Sequence, residues 1–87
     1  MPYRIEYTPA FERSFRQLPR DVQVRVSRKI SALASEPRPP GSRKLQGTAD
    51  LWRIRVGPYR VLYQIQDAVL LVVLIEVAHR REVYRNL

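Results

Sequence analysis

Hydrophobic and polar residues alternate along two neighbouring segments, residues 51–56 and 59–65, which the pair Gly57-Pro58 separates. A period of two is typical of half-buried β-strands, and a two-residue connection predicts a tight hairpin. The predicted inward-facing side chains are Trp52, Ile54 and Val56 on the first strand, and Tyr59, Val61, Tyr63 and Ile65 on the second. Trp52, Tyr59 and Tyr63 are therefore most simply core residues.

The opposite faces of this hairpin are basic, with Arg53 and Arg55 on the first strand and Arg60 on the second. If Gly57-Pro58 is a two-residue loop, Arg55 lies directly across from Arg60. Like charges in that position repel each other and cost stability. Two interpretations stay open: a solvated basic face, or an arginine pair that holds an anion such as a phosphate.

The N-terminal part predicts a strand over residues 3–7, followed by two helices. Thr8 suits the N-cap of the first helix and Pro9 its first position. Phe11, Phe15 and Leu18 recur at helical spacing and are expected to face the core.

Pro19 ends the first helix, Pro19 and Arg20 form a turn, and Asp21 is the predicted cap of the second helix. The apolar stripe of that helix is Val22, Val26, Ile30 and Leu33. The basic residues that fall off the stripe are Arg25, Arg28 and Lys29, for which solvation and direct contact with RNA are both considered.

The remaining segments complete one α+β domain over residues 1–87. Residues 36–42 carry three prolines and cannot continue a helix. Residues 43–47 form a short basic segment before the hairpin, and Gln66-Asp67 is a turn. Residues 69–77 are apolar on both faces except Glu76, which predicts a central strand that is covered on both sides, or on one side by a partner. The expected architecture is an N-terminal strand, two helices and then antiparallel strands, with the helices on one face of a small antiparallel sheet.

Composition points to a polyanionic partner. Sixteen basic residues against eight acidic ones leave a net charge of +8, and fourteen of the sixteen are arginine. Arginine favours bidentate contact with phosphate and stacking on bases, so nucleic acid is the expected partner and an acidic protein the alternative. The chain has no cysteine and one histidine, so we expect neither a disulfide nor a metal or other cofactor. No signal peptide or membrane-spanning run is evident, and a cytoplasmic location is expected.

Several catalytic classes are excluded by the residue types present. A nucleophilic triad has no cysteine and no serine in a recognisable setting, and three glycines cannot form a phosphate loop. Paired carboxylates are not evident. Arginines can stabilise a phosphorane electrostatically, and Tyr84 or His79 can move protons.

The chain resembles the RelE/ParE toxin superfamily over essentially its whole length, and more closely the RelE-type branch. The matching parts are Tyr3-Arg4-Ile5, Leu18, the run from Lys44 to Gly47, and above all residues 52–63 and 79–84. The resemblance implies a toxin that cuts messenger RNA in the ribosomal decoding site without a metal, by attack of the ribose 2′-hydroxyl on the adjacent phosphate. It also implies a cognate acidic, RelB-like antitoxin in a toxin–antitoxin hetero-oligomer.

The family's functional positions carry over residue by residue. The implied catalytic residues are Arg53, Arg55, Arg60, Arg80 and Tyr84. The predicted RNA-binding residues are Arg43, Lys44, Arg81, His79, Arg25, Arg28 and Lys29. Some members have lysine where this chain has Arg53 and Arg55, and some have a longer tail before the tyrosine. Tyr84 and His79 also have structural interpretations, packing of the tail and a hydrogen-bonded histidine. The alternatives for the whole protein are a gyrase poison of the ParE type and a non-catalytic basic RNA-binding module.

Overall fold

A computed structural model describes residues 2–45, 47 and 50–79. Arg80, Arg81 and Tyr84, to which the sequence gives roles, lie outside the described residues. The elements in chain order are β1 (Arg4–Tyr7), α1 (Pro9–Arg16), α2 (Arg20–Leu33), β2 (Arg43–Lys44), β3 (Leu51–Val56), β4 (Tyr59–Gln66), a 3-10 turn (Asp67–Val69) and β5 (Leu71–His79). Neither described helix is long and apolar enough to cross a membrane.

The strands form one sheet in the order β1-β5-β4-β3-β2. The α+β class and the helices on one face are confirmed, but the sheet is mixed, because β1 runs parallel to β5. A parallel pair needs a long connection, and here the connection includes both helices and the hairpin. β2 was predicted only as a basic segment, since a strand of two residues is too short to show a period.

The core lies between the helices and one face of the sheet. Leu33 and Tyr63 are among its fully buried side chains. The predicted stripe of α2 is confirmed, and so are the inward-facing residues of the hairpin; Trp52 and Tyr59 pack against the core while partly exposed. The buried cluster comprises Phe11, Val22, Val26, Ile30, Leu33, Ile54, Val56, Val61, Tyr63, Ile65, Val72, Leu74 and Val77.

The two helices begin differently. Thr8 caps α1 as predicted, because its Oγ1 accepts a hydrogen bond from the Phe11 N–H at 3.0 Å, with Pro9 at the first helical position. The prediction that Asp21 caps α2 is wrong: Pro19 is the N-cap, without a side-chain hydrogen bond. Asp21 lies within the first turn, where its charge still favours the positive end of the helix dipole.

β5 is the strand predicted over residues 69–77, shifted by two residues, and it pairs on both sides, with β1 and with β4. The chain between β4 and β5 makes the 3-10 turn, and Leu70 follows it in the left-handed region with φ +52°. Beyond the end of β1, α1 lies along the edge of β5. There Thr8 Oγ1 donates to the Ile75 carbonyl at 2.9 Å, and Ser14 Oγ accepts from the Val77 N–H at 3.2 Å.

The proline-rich loop, residues 36–42, is held by hydrogen bonds to the turn between β4 and β5. Arg38 donates to both carboxylate oxygens of Asp67, at 2.8 and 3.2 Å, and Tyr3 Oη donates to the same carboxylate at 2.6 Å. The Arg38 guanidinium also lies 5.2 Å from the centre of the Trp52 ring. The hydrogen bond from Arg38 first, and then that from Tyr3, lowers the pKa of Asp67 to about 2. Beside it, Tyr63 donates to the Pro37 carbonyl, and burial raises the pKa of Tyr63 to about 12.

Candidate nucleic-acid interface

The β3–β4 hairpin has the predicted two-residue loop. Gly57 has φ +59°, a conformation that glycine adopts without steric cost, and Pro58 supplies the fixed negative φ of the second loop residue. These signs match a type II′ turn, whose twist suits a tight hairpin. The register that follows places Arg55 directly across from Arg60, which confirms the sequence prediction.

Four arginines share the sheet face that the helices leave uncovered. In the register, Arg43 is opposite Arg53, and Arg55 is opposite Arg60. The alternating neighbours of these residues, such as Ile54 and Val61, lie in the core. The arginine face is therefore defined here as Arg43, Arg53, Arg55 and Arg60, contributed by three adjacent strands.

The arginine face is not uniformly exposed. Arg53 is only 9% exposed and Arg60 is half-buried, whereas Arg55 and Arg43 are exposed. A guanidinium keeps its charge at every physiological pH. Arg53 thus brings a fixed positive charge into surroundings with little water, where its attraction for a bound anion is less screened than at the surface. The sequence did not indicate this burial, because an alternating pattern says nothing about what covers the polar face.

Glu76, to which the sequence pattern gave no functional role, lies on the same face. Glu76 is opposite Leu62, which is itself opposite Arg53, so the three residues form one row across β3, β4 and β5. The pairing shifts between Leu62 and Tyr63, since Tyr63 is opposite Leu74, and Ile75 is the extra residue of a bulge. Without that bulge, strict alternation from Leu74 would turn Glu76 into the core.

Bulges re-aim side chains and are over-represented beside active sites. Here the bulge keeps Leu74 and Val77 buried while the charged Glu76, three residues before the chain reaches His79, stays on the arginine face. The signal in the sequence is the broken period of two: buried positions Val72 and Leu74 are followed by Val77 rather than by residue 76.

Two predicted RNA-binding residues lie on the other side of the sheet. His79 is opposite Tyr59, and their rings meet edge to face with centroids 5.7 Å apart. Lys44 is opposite Trp52. Because Tyr59 and Trp52 pack against the core, His79 and Lys44 are separated from the arginine face by the thickness of the sheet.

The basic residues of α2 lie close to the hairpin turn instead. Arg25, Arg28 and Lys29 are exposed, and they line a cavity of about 470 Å³ together with Arg55 and Gly57. The three α2 residues therefore adjoin the arginine face through Arg55, on its outer side.

The arginine face is better suited to binding phosphate than to binding any other ligand considered above. Guanidinium groups recognise phosphate oxygens in bidentate fashion and stabilise developing negative charge. Within residues 2–45, 47 and 50–79, no three His, Asp or Glu side chains are grouped so that they could hold a metal ion.

Comparison with known proteins gives a consistent family. The model of the "ParE toxin of type II toxin-antitoxin system, parDE" matches residues 5–84. Toxin RelG of Mycobacterium tuberculosis is 34% identical over 87 residues, which cover 99% of this chain and 100% of that protein.

Solved structures agree with this result. A chain of the toxin–antitoxin complex RelBE2 from M. tuberculosis has a TM-score of 0.81 and 30% identity, covering 92% of this chain and 100% of that one. A chain of the archaeal RelE–RelB complex from Pyrococcus horikoshii has a TM-score of 0.82 and 28% identity, covering 94% and 99%.

Proposed function

The chain belongs to the RelE/ParE family of toxins of type II toxin–antitoxin systems, and from that premise we propose that it is a ribosome-dependent, metal-independent endoribonuclease that cleaves messenger RNA. The observation that carries the proposal is the arginine face, with Arg55 paired against Arg60 beside the buried Arg53. A folded protein gains no stability from opposing two like charges, and a phosphate between them removes the repulsion.

The proposed reaction is attack of a ribose 2′-hydroxyl on the adjacent phosphate. It needs removal of the 2′ proton, stabilisation of the pentavalent phosphorane, and protonation of the leaving 5′ oxygen. Arg60 provides the second of these, supported by Arg53 and Arg55, because the paired strands hold the three backbone positions together on one face. The role of Arg80, the fourth arginine that the family resemblance implies, is the same.

Proton transfer needs a group that titrates, which arginine does not. Tyr84 is the first candidate, because a phenol titrates and a nearby cation favours its charged form. Glu76 is the second candidate, since it shares the arginine face and carboxylates serve as general bases in enzymes. His79 becomes the least favoured of the three, because it lies on the core side of the sheet with Tyr59.

The proposed partners follow from charge and from the relatives. The M. tuberculosis and P. horikoshii structures are toxin–antitoxin complexes. With a net charge of +8, this chain suits an acidic RelB-like antitoxin whose association is steered electrostatically. The ribosome and its messenger are the proposed target, since phosphate is the ligand for which the arginine face is suited.

The test is cleavage of a defined messenger on purified translating ribosomes under single-turnover conditions. Arg60→Gln and Arg53→Gln are expected to lower the rate by about 10²–10³-fold, the usual effect of removing a transition-state donor. Arg4→Gln is the matched control, because Arg4 is an exposed strand arginine on β1, at the far edge of the sheet.

Tyr84→Phe and Glu76→Gln distinguish the two proton-transfer candidates. The pH dependence of the cleavage rate is measured for both, and the variant that lacks the proton-transfer group is expected to lose one limb of the wild-type profile. Intact messages together with accumulated DNA breaks would identify a gyrase poison of the ParE type instead. Binding to ribosomes without any cleavage would identify a non-catalytic RNA-binding module.

A further inference from the structure

A second group of cations meets at the hairpin turn and adjoins the arginine face, with which it shares Arg55. It consists of Arg25, Arg28 and Lys29 of α2 together with Arg55, and we call it the α2–hairpin cluster. The four side chains line the cavity of about 470 Å³ with Val56 and Gly57, and no carboxylate of residues 2–45, 47 and 50–79 lines it. Among the described residues the ion pairs join Arg4 to Glu6 and Arg38 to Asp67, so no member of the cluster is ion-paired there.

The convergence of these charges is specified by both elements. Residues at spacings of three and four share one side of a helix, so Arg28 and Lys29 both neighbour Arg25 along α2. Glycine at position 57 leaves room for the Arg25 side chain beside the turn, because a Cβ there would lie only 3.2 Å from Arg25 Nη2. Like charges at these spacings destabilise a helix, and Arg55 adds a fourth positive charge from the sheet.

We propose that the α2–hairpin cluster is a second anion site that binds the phosphate backbone of a folded RNA, separate from the point of cleavage. The proposal rests on the proposed function and deepens it, because it names how the toxin docks on its RNA target. Arg55 belongs to both groups, so a backbone held at the cluster is directed over the hairpin turn towards Arg60.

The composition of the cluster favours RNA over an acidic protein. Stable protein interfaces have a desolvated core of aromatic and aliphatic side chains. Among the described residues, Val56 contributes the one apolar side chain that lines this cavity, while α2 contributes three cations. Binding of a phosphate backbone does not need such an apolar core, because the release of counterions from each neutralised phosphate favours binding.

The experiment compares two triple variants with equal charge. The cluster variant is Arg25→Gln/Arg28→Gln/Lys29→Gln. The control is Arg13→Gln/Arg16→Gln/Arg20→Gln, which removes three exposed cations of α1 and of the start of α2. The probe is a fluorescently labelled RNA stem-loop, whose dissociation constant is measured at a series of KCl concentrations without ribosomes. Circular dichroism and thermal unfolding verify that both variants are folded.

The slope of log affinity against log salt counts phosphate contacts at about 0.7–0.9 per contact. With three cations removed, the cluster variant is expected to lose about 2.1–2.7 of this slope, with the control losing less than about 1. Equal losses would overturn the proposal, since the cluster would then contribute only diffuse charge. Unchanged RNA binding with weakened binding of the acidic antitoxin would overturn it too, in favour of a protein site. The assay involves no cleavage, so a wild-type protein that fails to cut messages would refute the proposed function and leave this result standing.

Discussion

Replacement of Arg55 by glutamine is expected to stabilise the protein while it impairs cleavage. Arg55 is exposed, so its loss leaves no cavity, and it lies directly across from Arg60 with the cluster cations on its other side. Directly opposed strand residues have Cβ atoms about 4.5–5.5 Å apart, and such pairs contribute roughly 0.2–1 kcal/mol. Removing the repulsion is therefore expected to raise the free energy of unfolding by about 0.5 kcal/mol. For a domain of this size, that corresponds to a rise in Tm of roughly 2–4 °C.

The assay is thermal unfolding of the isolated toxin at low and high salt, with Arg55→Lys as the control that keeps the charge. Screening shortens the reach of exposed charges from about 30 Å at 0.01 M to 3 Å at 1 M ionic strength. The gain of the glutamine variant over the lysine variant must accordingly shrink at high salt. A gain that is independent of salt, or a loss of stability, would show that Arg55 and Arg60 do not repel each other in the folded state.

Three further predictions concern the scaffold. Asp67 has a pKa of about 2 in the folded protein, against an ordinary value of 3.8. Its contribution to stability is therefore complete above about pH 4 and is lost as the pH falls towards 2. In Asp67→Asn, the free energy of unfolding measured with urea is expected to lose this part of its pH dependence. Gly57→Ala is expected to cost about 1–2 kcal/mol in the same assay, because φ is +59° there. Leu33→Ala, at a fully buried site, should cost about 2–5 kcal/mol, whereas Val24→Ala on the exposed side of α2 should change stability by less than about 0.5 kcal/mol.

The sequence predicted the elements whose pattern is local. The hairpin register follows from alternation and a two-residue loop, and the stripe of α2 follows from helical spacing; both are confirmed. The prediction that Pro19 ends the first helix was wrong, because α1 already ends at Arg16, and Pro19 instead takes the N-cap position of α2 that was given to Asp21. The pairing of β1 with β5 joins residues more than 60 positions apart, and no local pattern encodes it.

The candidate site was predictable only in part for the same reason. That Arg53, Arg55 and Arg60 share a face follows from alternation, but the addition of Arg43 depends on β2, a strand of two residues. The bulge that turns Glu76 outward is visible only once β4 and β5 are paired. The contact of Arg25 with the hairpin turn depends on how α2 lies over the sheet, which is a tertiary property.

The two faces of the sheet explain how a domain of 87 residues can carry so much unbalanced charge. Nearly all of the buried cluster lies on the helix side, where side chains such as Tyr63 and Leu74 are completely enclosed. Burial of a large apolar side chain contributes about 1.5–3 kcal/mol, several times the cost of one opposed pair of like charges. Packing on the helix side can therefore hold the strands in register, although the register places arginines of the opposite face close enough to repel each other. For the proposed cleavage of RNA, such a face has its positive charges in place before the substrate binds, which is the condition under which electrostatic stabilisation of a transition state is most effective.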